Sequence, residues 1–216
     1  MFTIFDILFL LSLHGEKCTL LPGISKKLEI GLSGAILAEL IVQGKLQAGR
    51  NGKLELVVST PTGDEILDKA INLIQKDEKP RKASYWIKNL SKELHIGRKQ
   101  FLGRLISEDI LSQGEEVVSW TLPYLDSPNP KASAWYLRKS RLRELVLTQG
   151  DAALCELALL SILKASKLLK LVFTRDERKI VRRWIYASLM DRAMKEPAAQ
   201  SLQEIEAAIE RQIEDI

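Results

Sequence analysis

Residues 151–171 read DAALCELALLSILKASKLLKL, with Ala152, Ala153, Ala158 and Ala165 set among leucines. Apolar side chains fall on nearly every side of a helical projection, so a helix here has no broad wet face. It belongs at the centre of a bundle, and other helices must cover it. The rest of the chain can supply that cover. It has 216 residues, 46% hydrophobic and 28% charged, enough to bury a core in one domain and unlike a disordered segment. Helix formers dominate, aromatics make up only 6%, and proline is sparse with a cluster at Pro123, Pro128 and Pro130.

The expected fold is therefore mainly α: a central helical bundle surrounded by amphipathic helices, with one or two short β-hairpins. Helices are expected at about 1–13, 27–43, 64–74, 86–94, 98–107, 132–147, 151–171 and 176–195, with a tail helix from about 201. In the second of these, Gly34, Ala35 and Ala38 permit close packing. Thr62 or Ser59 is the expected cap of the third, with Asp64 and Glu65 at its positive end. A first hairpin joins Lys45-Leu46-Gln47 to residues 54–58 across Gly49-Arg50-Asn51-Gly52, whose residues tolerate positive φ. A second joins residues 110–112 to 117–122 across Gln113-Gly114-Glu115. Residues 75–82 read as a charged linker.

The opening run to Leu13 is apolar but carries Asp6, lacks a basic start and is not followed by a small-residue cleavage site. A spanning helix needs ~20 apolar residues, so this run reads as a buried helix ended by Gly15. Cys18 and Cys155 are far apart and follow no metal-ligand spacing. They are expected to be reduced thiols, in a protein facing the cytosol.

Charge is uneven. The chain carries +4 overall, but residues 196–216 hold six acids and only Arg211 as a base. The body before them keeps 31 bases against 22 acids, +9, which suggests an anionic partner. Two basic clusters stand out: Arg138, Lys139, Arg141 and Arg143, then Arg175, Arg178, Lys179, Arg182 and Arg183. Catalysis finds no foothold. Only His14 and His95 are histidines, and no nucleophile elbow, phosphate-binding loop or metalloprotease motif appears. Asp64 and Asp68 share a helix face, yet capping suits them better than a metal does. No enzyme, cofactor or metal site is expected.

Four segments in order then carry a family likeness: Ile7 to Leu13; Gly31-Leu32-Ser33-Gly34 running on to Gly44-Lys45-Leu46; Pro61-Thr62-Gly63-Asp64 with Leu67-Asp68; and Trp86-Ile87 with Leu90-Ser91. Their order and spacing resemble the Golgi phosphoprotein 3 family over residues 1–195, leaving 196–216 as an acidic helical tail outside the likeness. Each shared segment also reads as structure: close-packing glycines, a turn with a helix cap, and Trp86 as a core anchor.

The resemblance implies a peripheral membrane protein on the cytosolic face, binding phosphatidylinositol 4-phosphate or a similar anionic phospholipid reversibly. It also implies membrane-protein cargo and self-association as partner types. The family pocket uses a Trp, an Arg in the Gly-Leu-Arg-Gly start, and two Arg on a later helix. Here those positions are Ile24, Ser33, His95 and Arg98. With Lys26, Lys27 and Lys99 nearby, the implied headgroup set is Ser33, His95, Arg98, Lys99, Lys26 and Lys27. The second hairpin alternates Val118, Trp120, Leu122 and Tyr124 onto one face, and the family's matching hairpin meets the bilayer or a second copy. The rival reading is a winged-helix-like nucleic-acid binder, since short helices precede hairpins near residues 24–58 and 86–125. No helix, however, shows an exposed Arg/Asn/Gln row for base readout.

Overall fold

A computed structural model of the chain describes residues 2–14, 19–77, 79–93, 103, 106, 112–113, 120–121 and 130–216. Among these the protein is mainly α, with eight α-helices and three small antiparallel sheets.

Helix α1 (Ile4–Ser12) is buried along its whole length. Asp6, the one acid in the apolar opening, does not interrupt it but caps it. The Thr3 hydroxyl accepts the Asp6 N–H at 3.2 Å, and Asp6 accepts the Thr3 N–H at 3.0 Å in return. The helix stops at Leu13, which turns extended and enters strand β1 (Leu13–His14), paired with β2 (Thr19–Leu20). The expected stop at Gly15 lies outside the described residues.

Helix α2 (Ser25–Val42) is the axis of the fold. Leu28, Ile30 to Ala38, Leu40 and Ile41 are buried, so it meets neighbours on nearly every side. Gly34 explains how one of them comes so close. A Cβ there would lie 2.5 Å from Ile209 Cδ1, on a helix 175 residues later in the chain. Gly44 (φ +69) ends the run.

Strands β3 (Leu46–Ala48) and β4 (Lys53–Leu56) form the expected hairpin, with Asn51 and Gly52 at positive φ in its turn. Residues 81–82, expected within a linker, instead add a third strand: β5 (Arg81–Lys82) pairs with β4. Helix α3 (Glu65–Lys76) packs Leu67, Ala70, Ile71 and Ile74 inward. Its cap is Asp64 rather than Thr62 or Ser59, because Asp64 Oδ1 accepts the Ile66 and Leu67 N–H groups. Helix α4 (Ala83–Glu93) follows, with Trp86 buried as a core anchor. Strands β6 (Ser112–Gln113) and β7 (Trp120–Thr121) pair antiparallel where the second hairpin was expected, with Gln113 in the strand rather than in the turn; residues 114–119 lie outside the described residues.

The last third supplies α5 (Pro130–Leu147), α6 (Leu154–Ala165), α7 (Glu177–Ala193) and α8 (Pro197–Glu214). Helix α6, the sequence's central helix, is buried from Leu157 to Leu163. It is shorter than 151–171 because Lys167 takes a left-handed φ of 57°. The Leu168 N–H then closes back on the Leu163 carbonyl at 2.8 Å, and only a short 3₁₀ turn (Leu169–Leu171) continues.

Helix α8 has Pro197 in its first turn, four residues before the expected start. It packs on α2, α6, α4 and α7 and buries Ala199, Leu202, Ile205, Ala208, Ile209 and Ile213. Residues 197–214 thus pack against the helices that precede them. The core is a three-helix centre of α2, α6 and α8, wrapped by α1, α3, α4 and α7. Among the described residues, no helix is long and apolar enough to cross a membrane.

Candidate functional site

The start of α2 is where two of the implied headgroup residues meet solvent. The turn at Pro22-Gly23 (φ +74) delivers the chain to a buried Ile24 at the cap position. No side chain caps the helix there, and no acid occupies its first turn. The first N–H groups and the positive end of the helix are therefore left for water or an anion. Lys26, 60% exposed, leans toward Glu29 at 3.5 Å, and Lys27 is half-buried beside it.

Glu29 also accepts a hydrogen bond from Ser91 Oγ, which ties the last turn of α4 to the first turns of α2. His95 follows Ser91 by four residues, and Arg98 and Lys99 come just after. All three lie outside the described residues.

Ser33 is a correction. It was expected to offer a neutral donor to a headgroup, but it is fully buried, and its hydroxyl donates to the Glu29 carbonyl at 3.0 Å. The helical register is the reason. Ser33 stands between Leu32 and Gly34 on the α2 surface that the core covers, so a residue at this position reaches no solvent.

The second hairpin has a defined register, Ser112 opposite Thr121 and Gln113 opposite Trp120. Val118 and Leu122 lie outside the described residues.

Two clefts show different chemistry. One of about 490 Å³ lies among α1, α2, α5 and α6, lined by Phe2, Ile7, Val42, Leu142 and Leu159 with Cys155 half-buried. Its polar rim is already satisfied. Glu39 accepts the Ile4 N–H at 2.8 Å and a Gln43 N–H at 3.0 Å, while Arg141 donates to Glu156 at 2.8 Å. The other, about 620 Å³, lies between α3 and α4 beside Lys76, Lys79 and Arg81. Arg81 bonds Asp77 and stacks over the Tyr85 ring at 5.0 Å. Through that hydrogen bond Arg81 helps hold the Asp77 carboxyl below the usual carboxylate range, with the Lys79 N–H adding to it.

The two basic clusters, separate in sequence, are neighbours in space. Helices α5 and α7 pack together, and Arg143 of α5 bonds Glu177 at the start of α7 at 2.6 Å. The Thr174 N–H and that guanidinium hold Glu177 below its ordinary pKa. Sequence reasoning counted the charges of α7 but missed its exposed apolar residues. The structure fixes their phase: Val181, Ile185, Leu189 and Ala193 form the buried stripe at four-residue spacing, so apolar residues off that phase face outward.

The Pro-Thr-Gly-Asp segment, the most specific part of the family likeness, is structural. Asp68 Oδ1 takes the Thr62 N–H at 2.6 Å and the Thr62 hydroxyl at 2.7 Å, while Asp64 caps α3. Neither carboxylate is arranged for a metal, and no cluster of three or more metal-type ligands occurs among the described residues.

Comparison with protein families matches residues 4–209 to Golgi phosphoprotein 3 (GPP34). That span passes residue 195 and takes in most of α8. No curated protein matches the chain.

Proposed function

The chain belongs to the Golgi phosphoprotein 3 family, and we propose that it is a peripheral membrane protein that binds anionic phospholipid headgroups without altering them. The observation that carries this reading is the family match across residues 4–209. The start of α2 supports it physically. An uncapped helix end with Lys26 and Lys27 in its first turn favours a phosphate through N–H donors, helix polarity and two cations.

Arg98 would give the charge-assisted, fork-shaped contact that a phosphomonoester prefers, and Lys99 would add a second cation. His95 would contribute mainly in mild acid, since an imidazole ordinarily titrates near ~6.5. With Ser33 inside the core, the proposed headgroup set is Lys26, Lys27, His95, Arg98 and Lys99. The hairpin strand with Val118, Trp120 and Leu122 is the proposed apolar contact with the bilayer or with a second copy. A protein held this way is released by salt and can carry a membrane-protein cargo as an adaptor.

The test is flotation with phosphatidylcholine vesicles, plain or carrying phosphatidylinositol 4-phosphate or phosphatidylserine. Wild type should float with the anionic vesicles. Arg98→Ala and the Lys26→Gln/Lys27→Gln pair should each weaken binding by roughly five- to thirtyfold, at ~1 kcal/mol per cation. Equal flotation with plain vesicles, or salt-dependent binding to duplex DNA with none to vesicles, contradicts the proposal and favours the nucleic-acid reading.

A further inference from the structure

Among the described residues, helix α7 has an outward face that its neighbours leave open. Its buried stripe, Val181, Ile185, Leu189 and Ala193, turns toward α6 and α8. Opposite that stripe the exposed residues include four large apolar side chains. Ile180 is 51% exposed, Tyr186 62%, Met190 43% and Met194 75%. At ~100° per residue Lys179 and Arg183 fall among Tyr186, Met190 and Met194, while Ile180 and Arg182 stand at the two edges of that face, Arg182 beside the buried stripe; all three cations are exposed.

None of Lys179, Arg182 and Arg183 forms an ion pair among the described residues. The acids of α7 are used elsewhere: Glu177 bonds Arg143, and Asp191, at the edge of the face, bonds Lys195 at 2.8 Å. Helix α8 brings Glu206 and Glu210 to the groove beside Tyr186 and Met190, where Lys164 pairs with both. Arg175 and Asp176, both exposed, precede the helix and offset each other in charge.

We propose that this face of α7 lies in the headgroup region of an anionic bilayer, with Ile180, Tyr186, Met190 and Met194 dipping below the phosphates and Lys179, Arg182 and Arg183 among them. The inference rests on the membrane reading above and names a second contact surface for it. The pattern is that of an interfacial helix, in which apolar burial and attraction to anionic lipid add. Tyr186 suits the headgroup level, with an apolar ring and a polar tip.

Two other occupants fit less well. A nucleic acid would satisfy the cations but give Ile180, Met190 and Met194 nothing apolar to meet. A second copy facing this side across a two-fold axis would set Arg183 and Lys179 near their own images.

The experiment uses the full chain and phosphatidylcholine vesicles with and without phosphatidylserine. The Lys179→Gln/Arg182→Gln/Arg183→Gln variant should lose about a hundredfold in partitioning, at about fivefold per cation. Met190→Ser/Met194→Ser should lose about tenfold through lost burial. Both changes are on the surface, and unchanged thermal unfolding serves as the control for folding. A polarity-sensitive dye on Met194→Cys, in a Cys18→Ala/Cys155→Ala background, should shift to the blue on anionic vesicles.

If wild type and the triple variant bind anionic vesicles alike and the dye does not shift, the α7 inference falls while the membrane reading stands. If wild type binds no anionic vesicle, both fall. If the triple variant loses DNA binding while no vesicle binds, the surface is a nucleic-acid face and the inference is overturned.

Discussion

At Asp68 a single carboxylate holds the Thr62-Gly63 turn in place, through the Thr62 N–H and hydroxyl. The Thr62 N–H is the main cause of its lowered pKa, with the Thr62 hydroxyl, the Gly63 N–H and the Lys45 charge adding to it. A carboxyl whose pKa falls on folding stabilises the native state above its unfolded value of ~3.9. That contribution fades as pH drops through the lower folded value. Asp68→Asn should cost about 1–2 kcal/mol near neutral pH, read by urea unfolding, and should flatten the acid limb of stability against pH. Gly34 makes the opposite kind of demand, for absence of atoms. Gly34→Val should destabilise by about 2 kcal/mol, because Ile209 already occupies the space of a Cβ and is itself buried. Both residues belong to the family likeness; Gly34 was legible in the sequence as a close-packing glycine, whereas Asp68, expected to cap the helix, instead holds the turn before it. Ser33 was not legible, because its place in the Gly-Leu-x-Gly string suggested a ligand while the helix register turned it inward.

Helix α8 shows how composition can hide an element's role. Six acids within residues 196–216 set the segment apart as an acidic helical tail. Its apolar residues recur at three- and four-residue spacing, and they fill the gap between α2 and α6. Part of the acidity is internal: Glu206 is buried, accepts from Ser161 and pairs with Lys164 of α6, while Glu210 approaches the same lysine at 3.5 Å. Removing one partner of a buried pair strands the other. Glu206→Ala should therefore cost about 3 kcal/mol and lower Tm by roughly 6–12 °C for a chain of this size, as calorimetry would measure. An unchanged Tm would mean that the pair contributes nothing. The early end of α6 was illegible for a different reason. Lys167 adopts a left-handed φ where glycine is the usual signal, so nothing in the residue type marked the stop. On α7 the sequence supplied the charges, but the outward phase of Ile180 and Met194 became plain only once the buried stripe was fixed.

Across the whole molecule, pairing decides where the net charge is felt. The acids of α8 partly meet internal or adjacent cations, Glu206 with Lys164 and Glu196 with Arg192 at 2.9 Å. Lys27 at the start of α2, and Lys179, Arg182 and Arg183 on α7, keep positive charge at the surface, while Lys26 is partly offset by Glu29 at 3.5 Å. A body of this kind is drawn to an anionic surface over about a Debye length, ~10 Å at 0.1 M salt, and is let go as salt rises. The fold class and most helices were legible because apolar periodicity is a property of the chain itself. A binding surface is not, since it depends on which faces the packing leaves uncovered. The most direct measurement is the equilibrium partitioning of the wild-type protein onto phosphatidylserine-containing and pure phosphatidylcholine vesicles as salt is raised. Strong binding to the anionic vesicles alone, falling steeply with salt, is the predicted result. Binding that ignores both lipid charge and salt, or no binding at all, would contradict it.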